Sequence, residues 1–300
     1  MVKKKQIVID GLVLPGCNAP VWHEPITVQG GEIFCVYAPE DDAAHDLGRL
    51  LVGLDKAKPG TVSRPKKTVY LPHTDEVEGS MKVWEILGTA LAKRKVSESE
   101  AIRQIMEVLS PFGSDAEPDD QFGSLSPETA LGVVTAFVKL QEGDAIVAFE
   151  PGSGMSSPAA TDQFNMLSEA ANAGAPVVVI TTRGELAVAL SARIAFMHDG
   201  RFHDIGTVEE LVARHCKHDS LVLVASGDVT VNDLGAGLDK RVRSVRRTDA
   251  GYEMELDDSM AVLPLLFAHM RDRGVQLEAV MFARANLVGA FQNLTGMMLD

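Results

Sequence analysis

Cysteine is scarce. Cys17, Cys35 and Cys216 are odd in number and scattered, which excludes a disulfide framework or a Cys-based metal site and points to a reducing compartment. The longest apolar runs fall well short of the ~18 residues of a membrane span. MVKKK leads into IVIDGLVL, which Asp10 breaks too soon for a secretory leader, so a cytoplasmic location without direct membrane insertion is expected. Basic residues are in deficit: 28 Lys and Arg against 42 Asp and Glu leave a formal charge of −14. That argues against a nucleic-acid surface and against broad docking on anionic head groups. The clusters Lys3–Lys5 and Arg241–Arg247 are short and read as solvated faces. No Cys/Asp/His cluster suggests a metal, because His198, His203, His215 and His218 are scattered around turns. Ser153 is no nucleophile elbow, since the pattern G-x-S-x-G is broken by Pro151.

What remains is an ordinary globular composition, 46% hydrophobic and 23% charged. Three hundred residues suffice for one large domain or two smaller ones. The organising stretch is Gly31 to Leu54. Ile33–Tyr37 reads as a buried strand, Ala38 to Asp42 as a short loop, and Leu47, Leu50, Leu51 and Leu54 as the apolar face of a helix. Strand, tight loop and helix are the frame of a phosphate-binding loop, whose pattern is G-x-x-x-x-G-K-[ST]. On that frame the glycines fall on Ala38 and Ala43, the Lys on Ala44 and the hydroxyl on His45. Glu40, Asp41 and Asp42 lie between. Each carboxylate facing a phosphate at ~5 Å and an effective dielectric of ~20 costs roughly 3 kcal/mol. A nucleoside triphosphate is therefore not expected there. An ordinary acidic turn remains the alternative.

Along the chain, Gln6–Ile9 and Ile26–Val28 read as strands before the organising stretch. Lys56–Lys67 reads as a connection and Thr68–Leu71 as a strand. Lys82 to about Phe112 is helical, with apolar faces Ile86, Leu87, Leu91 and Ile102, Ile105, Met106, Leu109, split by an N-cap at Ser97. Ser110–Ser124 reads as loop. Ser126 caps a helix with Pro127 in its first turn. Ala145–Phe149 and Pro176–Thr181 are fully apolar strands. Asp162–Ala173, Leu186–Leu190 and Val208–Arg214 are helices, and Ile194–His198 is a strand closed by an Asp199-Gly200 hairpin. Apolar strands alternating with helices imply a parallel sheet. After Lys217 the pattern becomes antiparallel α+β. Strands Leu221–Ala225, Arg243–Arg247, Tyr252–Leu256 and Leu277–Phe282 alternate with helices Val231–Leu238, Ser259–Arg273 and Asn286–Leu294.

A series of stations runs through this order. GEIF at Gly31–Phe34 precedes the loop and LLVGLDKAKPGTV at Leu50–Val62 trails it. VYLPH at Val69–His73 is followed by VWEIL at Val83–Leu87. LSPET lies at Leu125–Thr129, AIVAFEPGSGM at Ala145–Met155 and VVVITTR at Val177–Arg183. FMHDGRFHDIGTVEEL spans Phe196–Leu211 and ANLVGAFQNLTG spans Ala285–Gly296. In joint order and spacing they resemble the nucleotide-binding subunit of an ABC transporter, close to the ABC-2 exporter type, over residues 5–300.

The resemblance implies a fold and a set of site positions, and at nearly all of those positions this sequence departs from the family. The Walker A Lys and Ser positions are Ala44 and His45. The Q-loop Gln, which senses Mg²⁺ and the γ-phosphate, is His73. The Walker B Asp is Phe149. Glu150 survives at the general-base position, but with no metal, nucleotide or Lys it has nothing to activate. The D-loop Asp is Ser156 and the H-loop His is Arg183. The signature glycines, which meet the partner's nucleotide, are Pro127 and Glu128. Pro removes an N–H donor, Glu128 brings a carboxylate, and Ser126 is expected to cap its own helix. The insertion carrying Val83 and Trp84, together with His73 at the Q-loop, corresponds to the family's groove for a membrane subunit; core packing is the alternative for Val83 and Trp84.

The expectation is an α/β fold, a P-loop NTPase-like ABC ATPase core. It has a mostly parallel sheet, an N-terminal β subdomain, a helical insertion at about 82–130 and a small C-terminal α+β domain, with domains 1–216 and 217–300. The expected role is a catalytically inactive subunit without cofactor or metal. It would sit at the inner face of the cytoplasmic membrane through an ABC-type permease, beside a catalytically competent ABC ATPase subunit. An ATPase with noncanonical nucleotide contacts and a soluble regulatory protein-binding module remain alternatives. The transported substrate stays open, and so does homodimer against heterodimer.

Overall fold

The computed structural model describes residues 5–39, 43–57, 59–92, 94, 96–152, 155–226, 234, 241–248 and 251–297, with the backbone alone at 112–114, 226 and 283. The chain divides into two units, Met1–Thr207 and Val208–Asp300.

The first unit is built on a six-stranded sheet. Its strands are β3 (Ile33–Tyr37), β5 (Thr68–Leu71), β6 (Ala145–Phe149), β7 (Val177–Thr181), β8 (Arg193–His198) and β9 (Arg201–Gly206), in the order β5-β6-β7-β3-β8-β9. All neighbours pair in parallel except β8 and β9. Asp199 and Gly200, both at positive φ (52° and 70°), make the tight turn of that hairpin. β3, β7 and β8 are nearly fully buried, as expected of apolar strands covered on both faces. From β3 the chain crosses to β5 at the sheet edge, returns through β6 and β7, then passes over β3 to β8. That reversal falls at the carboxyl ends of β3, β6 and β7, the place where such sheets bind ligands.

Three further strands, β1 (Gln6–Asp10), β2 (Ile26–Gln29) and β4 (Thr61–Ser63), form an antiparallel sheet in the order β2-β1-β4. β4 lies inside the stretch read as a plain connection; its three residues are too short for a period to show. Ile7, Ile9, Ile26 and Val28 join Phe34, Val36, Leu47 and Ile180 in one core. Helix α1 (Ala43–Val52) packs on β5, β6 and β7. Its face is Ala44, Leu47, Leu50 and Leu51; Leu54 lies beyond the helix end and is 58% exposed, against expectation.

The insertion comprises α2 (Val83–Leu91), α3 (Glu98–Leu109) and α4 (Pro127–Gln141), with α4 packed on α2, α3 and α5 (Pro158–Asn172). Ser97 accepts from the Glu100 N–H and caps α3 as expected. Ile105 and Leu109 are buried on α3, but Ile102 and Met106 are 56% and 50% exposed, so only half of the predicted stripe faces the core. The loop read over Ser110–Ser124 contains 3-10 turns at Ser110–Asp115 and Phe122–Ser124. α6 (Gly184–Leu190) packs on β3 and β7.

The second unit starts with α7 (Val208–His215), which packs on α9 (Leu287–Thr295). The division therefore falls before α7 rather than after it. β10 (Asp219–Ser226), β11 (Val242–Thr248), β12 (Gly251–Leu256) and β13 (Gln276–Ala283) form an antiparallel sheet in the order β11-β12-β10-β13. α8 (Ser259–Asp272) covers β10 and β13, burying Val262, Leu266 and Met270 against Leu221, Leu223 and Met254. Asp258 caps α8 through the Ala261 N–H, and Asn286 caps α9 through the Gly289 N–H. The helix expected at Val231–Leu238 lies outside the described residues except for Leu234, which is buried.

Candidate functional site

The candidate site gathers four segments: the end of β3 with the start of α1, the turn after β5, the end of β6 and the end of β7. Glu40, Asp41 and Asp42 lie outside the described residues. Ala38 and Ala44, on either side of them, are buried. Ala38 is buried and donates its N–H to Thr181 O at 3.0 Å. Ala44, where a phosphate-binding Lys would stand, is buried in the core, while Ala43 is partly buried beside it. Residues 38–48 contain no Lys or Arg. Arg49, one turn along α1, is bound to Asp55 at 2.7 Å.

His45 and Phe149, expected from the resemblance at metal-holding positions, touch each other. The rings of His45 and Phe149 lie 5.2 Å apart at 73°, an edge-to-face contact. Phe149 gives up no oxygen, so the chemistry of the pair is wrong for Mg²⁺, which takes oxygen ligands. His45 Nε2 donates to Glu76 Oε2 at 2.8 Å. Glu76 is on the 3-10 turn Thr74–Glu76 after β5. Its carboxylate also accepts from the Tyr70 hydroxyl (3.0 and 3.1 Å) and from the His73 N–H (2.8 Å). His73 caps this turn, its Nδ1 accepting from the Asp75 N–H at 3.2 Å. Burial, and then the Glu76 carboxylate, push the Tyr70 phenol well above its ordinary value, so it stays protonated and donates. Beneath the loop, burial pushes the Tyr37 phenol up to about 12 and raises the Cys35 thiol, leaving β3 without a reactive group.

Glu150 directly follows β6 with φ 43°, a left-handed conformation uncommon for a residue with a side chain. Its N–H donates to Ile180 O at 2.9 Å. Its carboxylate, 16% exposed, accepts from Thr181 Oγ1 at 3.0 Å and from the Thr182 N–H. Arg183 Nε lies 3.9 Å from the same carboxylate, and Arg183 Nη2 donates to Pro151 O. Glu150, expected from the resemblance at a general-base position, is thus tied into an ion pair. Ser153 lies outside the described residues. Gly152 next to it, at φ 78°, donates to Gln163 Oε1 at 2.7 Å. Gln163 is buried and its Nε2 donates to Leu131 O, locking this turn to α5 and α4.

Ser126 Oγ accepts from the Thr129 N–H at 3.1 Å and contacts Thr129 Oγ1 at 2.8 Å, so it serves its own helix. Pro127 and Glu128 are exposed beside it. Val83 is fully buried and belongs to the core, which corrects its expectation as a surface contact; Trp84, next to it, is 47% exposed. A groove of about 290 Å³ runs between the turn after β5, α2 and α4, and its lining includes Pro72, Glu76, Val77, Met81, Ile86 and Phe137. The structure brings His45, His73 and Phe149 into one cluster and Glu150 and Arg183 into another. Sequence reading missed Glu76, Tyr70, Thr181 and Gln163. Glu76 alone left a local signal, the capping spacing three residues after His73.

No protein-family model matches the chain. In sequence it is similar to the energy-coupling factor transporter ATP-binding protein EcfA2 of Symbiobacterium thermophilum, 27% identical over 226 residues, covering 69% of this chain and 78% of that protein. It is also similar to the spermidine/putrescine import ATP-binding protein PotA of a Nostoc species, 23% identical over 203 residues. There the alignment spans 63% of this chain and only 53% of the relative. Among solved structures, an ATP-binding subunit of an ABC transporter aligns with TM-score 0.58 at 18% identity, over 69% of this chain and 92% of that one. A metal-chelate type ABC transporter in an inward-facing conformation aligns with TM-score 0.57 at 15% identity, over 84% and 95%. The fold is that of an ATP-binding cassette, with a mostly parallel central sheet. The sequence likenesses are to ATP-binding subunits of ABC transporters. Among the described residues no helix is long and apolar enough to cross a membrane.

Proposed function

We propose that this chain is a catalytically inactive ATP-binding-cassette subunit of a membrane export complex, one that scaffolds or regulates a permease beside a competent ATPase. The observation that carries the reading is the His45–Phe149 contact, an aromatic pair filling the two positions from which a metal would be held. Three further features support it. Ala44 is buried where a phosphate Lys is needed. Glu150 is engaged by Thr181, Thr182 and Arg183. Ser126 is committed to its own helix, followed by Pro127 and Glu128. A carboxylate already holding two donors and an ion pair is a poor base toward water. The apolar groove beside the Glu76 turn suits an amphipathic helix from the permease. A homodimer of this chain would contain no working site, which favours a heterodimer with a motif-complete ATPase. On this reading the protein is peripheral on the inner face of the cytoplasmic membrane, and Trp84 is the better of the two α2 candidates for a permease contact.

The test is affinity purification of the chain from its native membranes, with co-purified subunits identified and counted by mass spectrometry. A permease together with a second, motif-complete ATPase is the expected result. Mg-ATP hydrolysis by this chain alone, abolished by Glu150→Gln, overturns the reading. Recovery of the chain with no membrane partner overturns the transport role.

A further inference from the structure

Glu76 belongs to two features at once. It is the acceptor at the centre of the filled site, taking donors from His45, Tyr70 and the His73 backbone. It also lines the apolar groove between its own turn, α2 and α4. His45 is in the first turn of α1, and the Glu76 carboxylate is the 2.8 Å link from that helix to the groove wall. Three other charged groups of these segments are already committed. Arg49 is held by Asp55, Asp75 faces the His73 ring at 3.4 Å, and Glu78 accepts from the Ser80 hydroxyl.

We infer that Glu76 is a positioning residue, a fixed strut that holds the groove wall against α1 without nucleotide. The inference rests on the inactive-subunit reading above and adds how such a subunit keeps its docking groove formed. In the family this segment responds to bound metal and phosphate; here a protein carboxylate stands between the same two elements. The groove then keeps one geometry whatever the nucleotide state of the partner. The competing explanation is local: Glu76 does no more than cap its own turn through the His73 N–H. The two differ in what they require of His45, which is 31 residues away in sequence and takes no part in the turn's own hydrogen bonds.

The experiment is hydrogen–deuterium exchange on the full chain, reading peptides over residues 43–52 and 72–81. The proteins are wild type, His45→Ala, Glu76→Ala, the double variant and His45→Gln. His45 and Glu76 both reach solvent (38% and 23% of the side chain), so neither replacement opens a core cavity. An exposed pair of this kind predicts exchange about two- to fivefold faster in both peptides for either alanine variant. The double variant is expected to add nothing further, because both changes break the same link. His45→Gln keeps an N–H donor and is expected to return toward the wild-type rate. A wild-type rate over 72–81 in His45→Ala overturns the strut, whatever Glu76→Ala does. Mg-ATP is expected to leave wild-type exchange unchanged. Protection of 43–52 by Mg-ATP overturns the inactive-subunit reading, while the His45 variants still judge the strut by themselves.

Discussion

Replacing Glu150 with alanine separates a spent catalytic position from a working one. A working general base is a carboxylate kept under-satisfied, and its removal commonly leaves stability unchanged or improved. Glu150 instead holds Thr181 Oγ1 at 3.0 Å and the Thr182 N–H, and faces Arg183 at 3.9 Å. Hydrogen bonds to a charged group contribute roughly 1.5–3 kcal/mol each, and a buried donor left without its acceptor costs about 1–3 kcal/mol. Arg183 Nε is buried without a hydrogen bond among the described residues and has the ion pair as compensation. Alanine keeps a Cβ, so the positive φ of 43° gives no relief. Because the effects share partners and do not add, the expected loss is about 2–3 kcal/mol. With a urea slope of ~2–3 kcal/mol/M the midpoint falls by about 1 M. Both tryptophans, Trp22 and Trp84, lie in the first unit, so their fluorescence reports its unfolding alone. Adding Arg183→Ala to Glu150→Ala is expected to cost less than the sum of the single losses. An unchanged or raised midpoint in Glu150→Ala refutes the reasoning and returns Glu150 to the candidates for catalysis.

Two further outcomes follow from the packing. Asp219 accepts from the Ser259 hydroxyl (2.5 Å) and from the Ser259 and Ala285 N–H groups (3.3 and 2.9 Å), stapling the start of α8 to the end of β13. Burial works to raise its carboxyl, but these donors and Arg284 outweigh it and hold it below the usual value. Its contribution is therefore complete above the unfolded value of ~3.9 and is lost as the pH falls through the lower folded value. Protection of the Leu221 and Leu223 amides, relative to their intrinsic exchange rates, should fall over that acid window in wild type and show no such step in Asp219→Asn, which is expected to cost roughly 1–2 kcal/mol at neutral pH. On α2, Val83→Ala is expected to lower first-unit stability by about 2 kcal/mol as a core deletion, and Trp84→Ala to change it by less than ~0.5 kcal/mol. A permease pull-down weakened by Trp84→Ala and kept by Val83→Ala would agree with the surface assignment.

The chain itself specified most of the architecture. Runs such as Ala145–Phe149 and Val177–Thr181 can be satisfied only inside a sheet covered on both faces, and capping residues such as Ser97, Ser126 and Asn286 fix helix starts through bonds to the next few amides. Those are local rules, and they hold from the sequence. The absence of a phosphate-binding Lys and hydroxyl was equally legible, because Ala44 and His45 stand at fixed spacing from β3. The three-residue strand β4 was not legible, since its pairing with β1 comes from another part of the chain. Nor was the exposed side of α3, where Ile102 and Met106 match the helical period yet stay 56% and 50% exposed. What surrounds His45, Phe149 and Glu150 was decided only by tertiary structure. His45 meets Phe149, which is 104 residues away, and meets Glu76 on a different strand's exit turn; Glu150 meets Arg183 because β6 and β7 run side by side in parallel. Periodicity says which face of an element is apolar. It carries no information about which polar groups, brought together by the crossover order of a sheet, will satisfy one another.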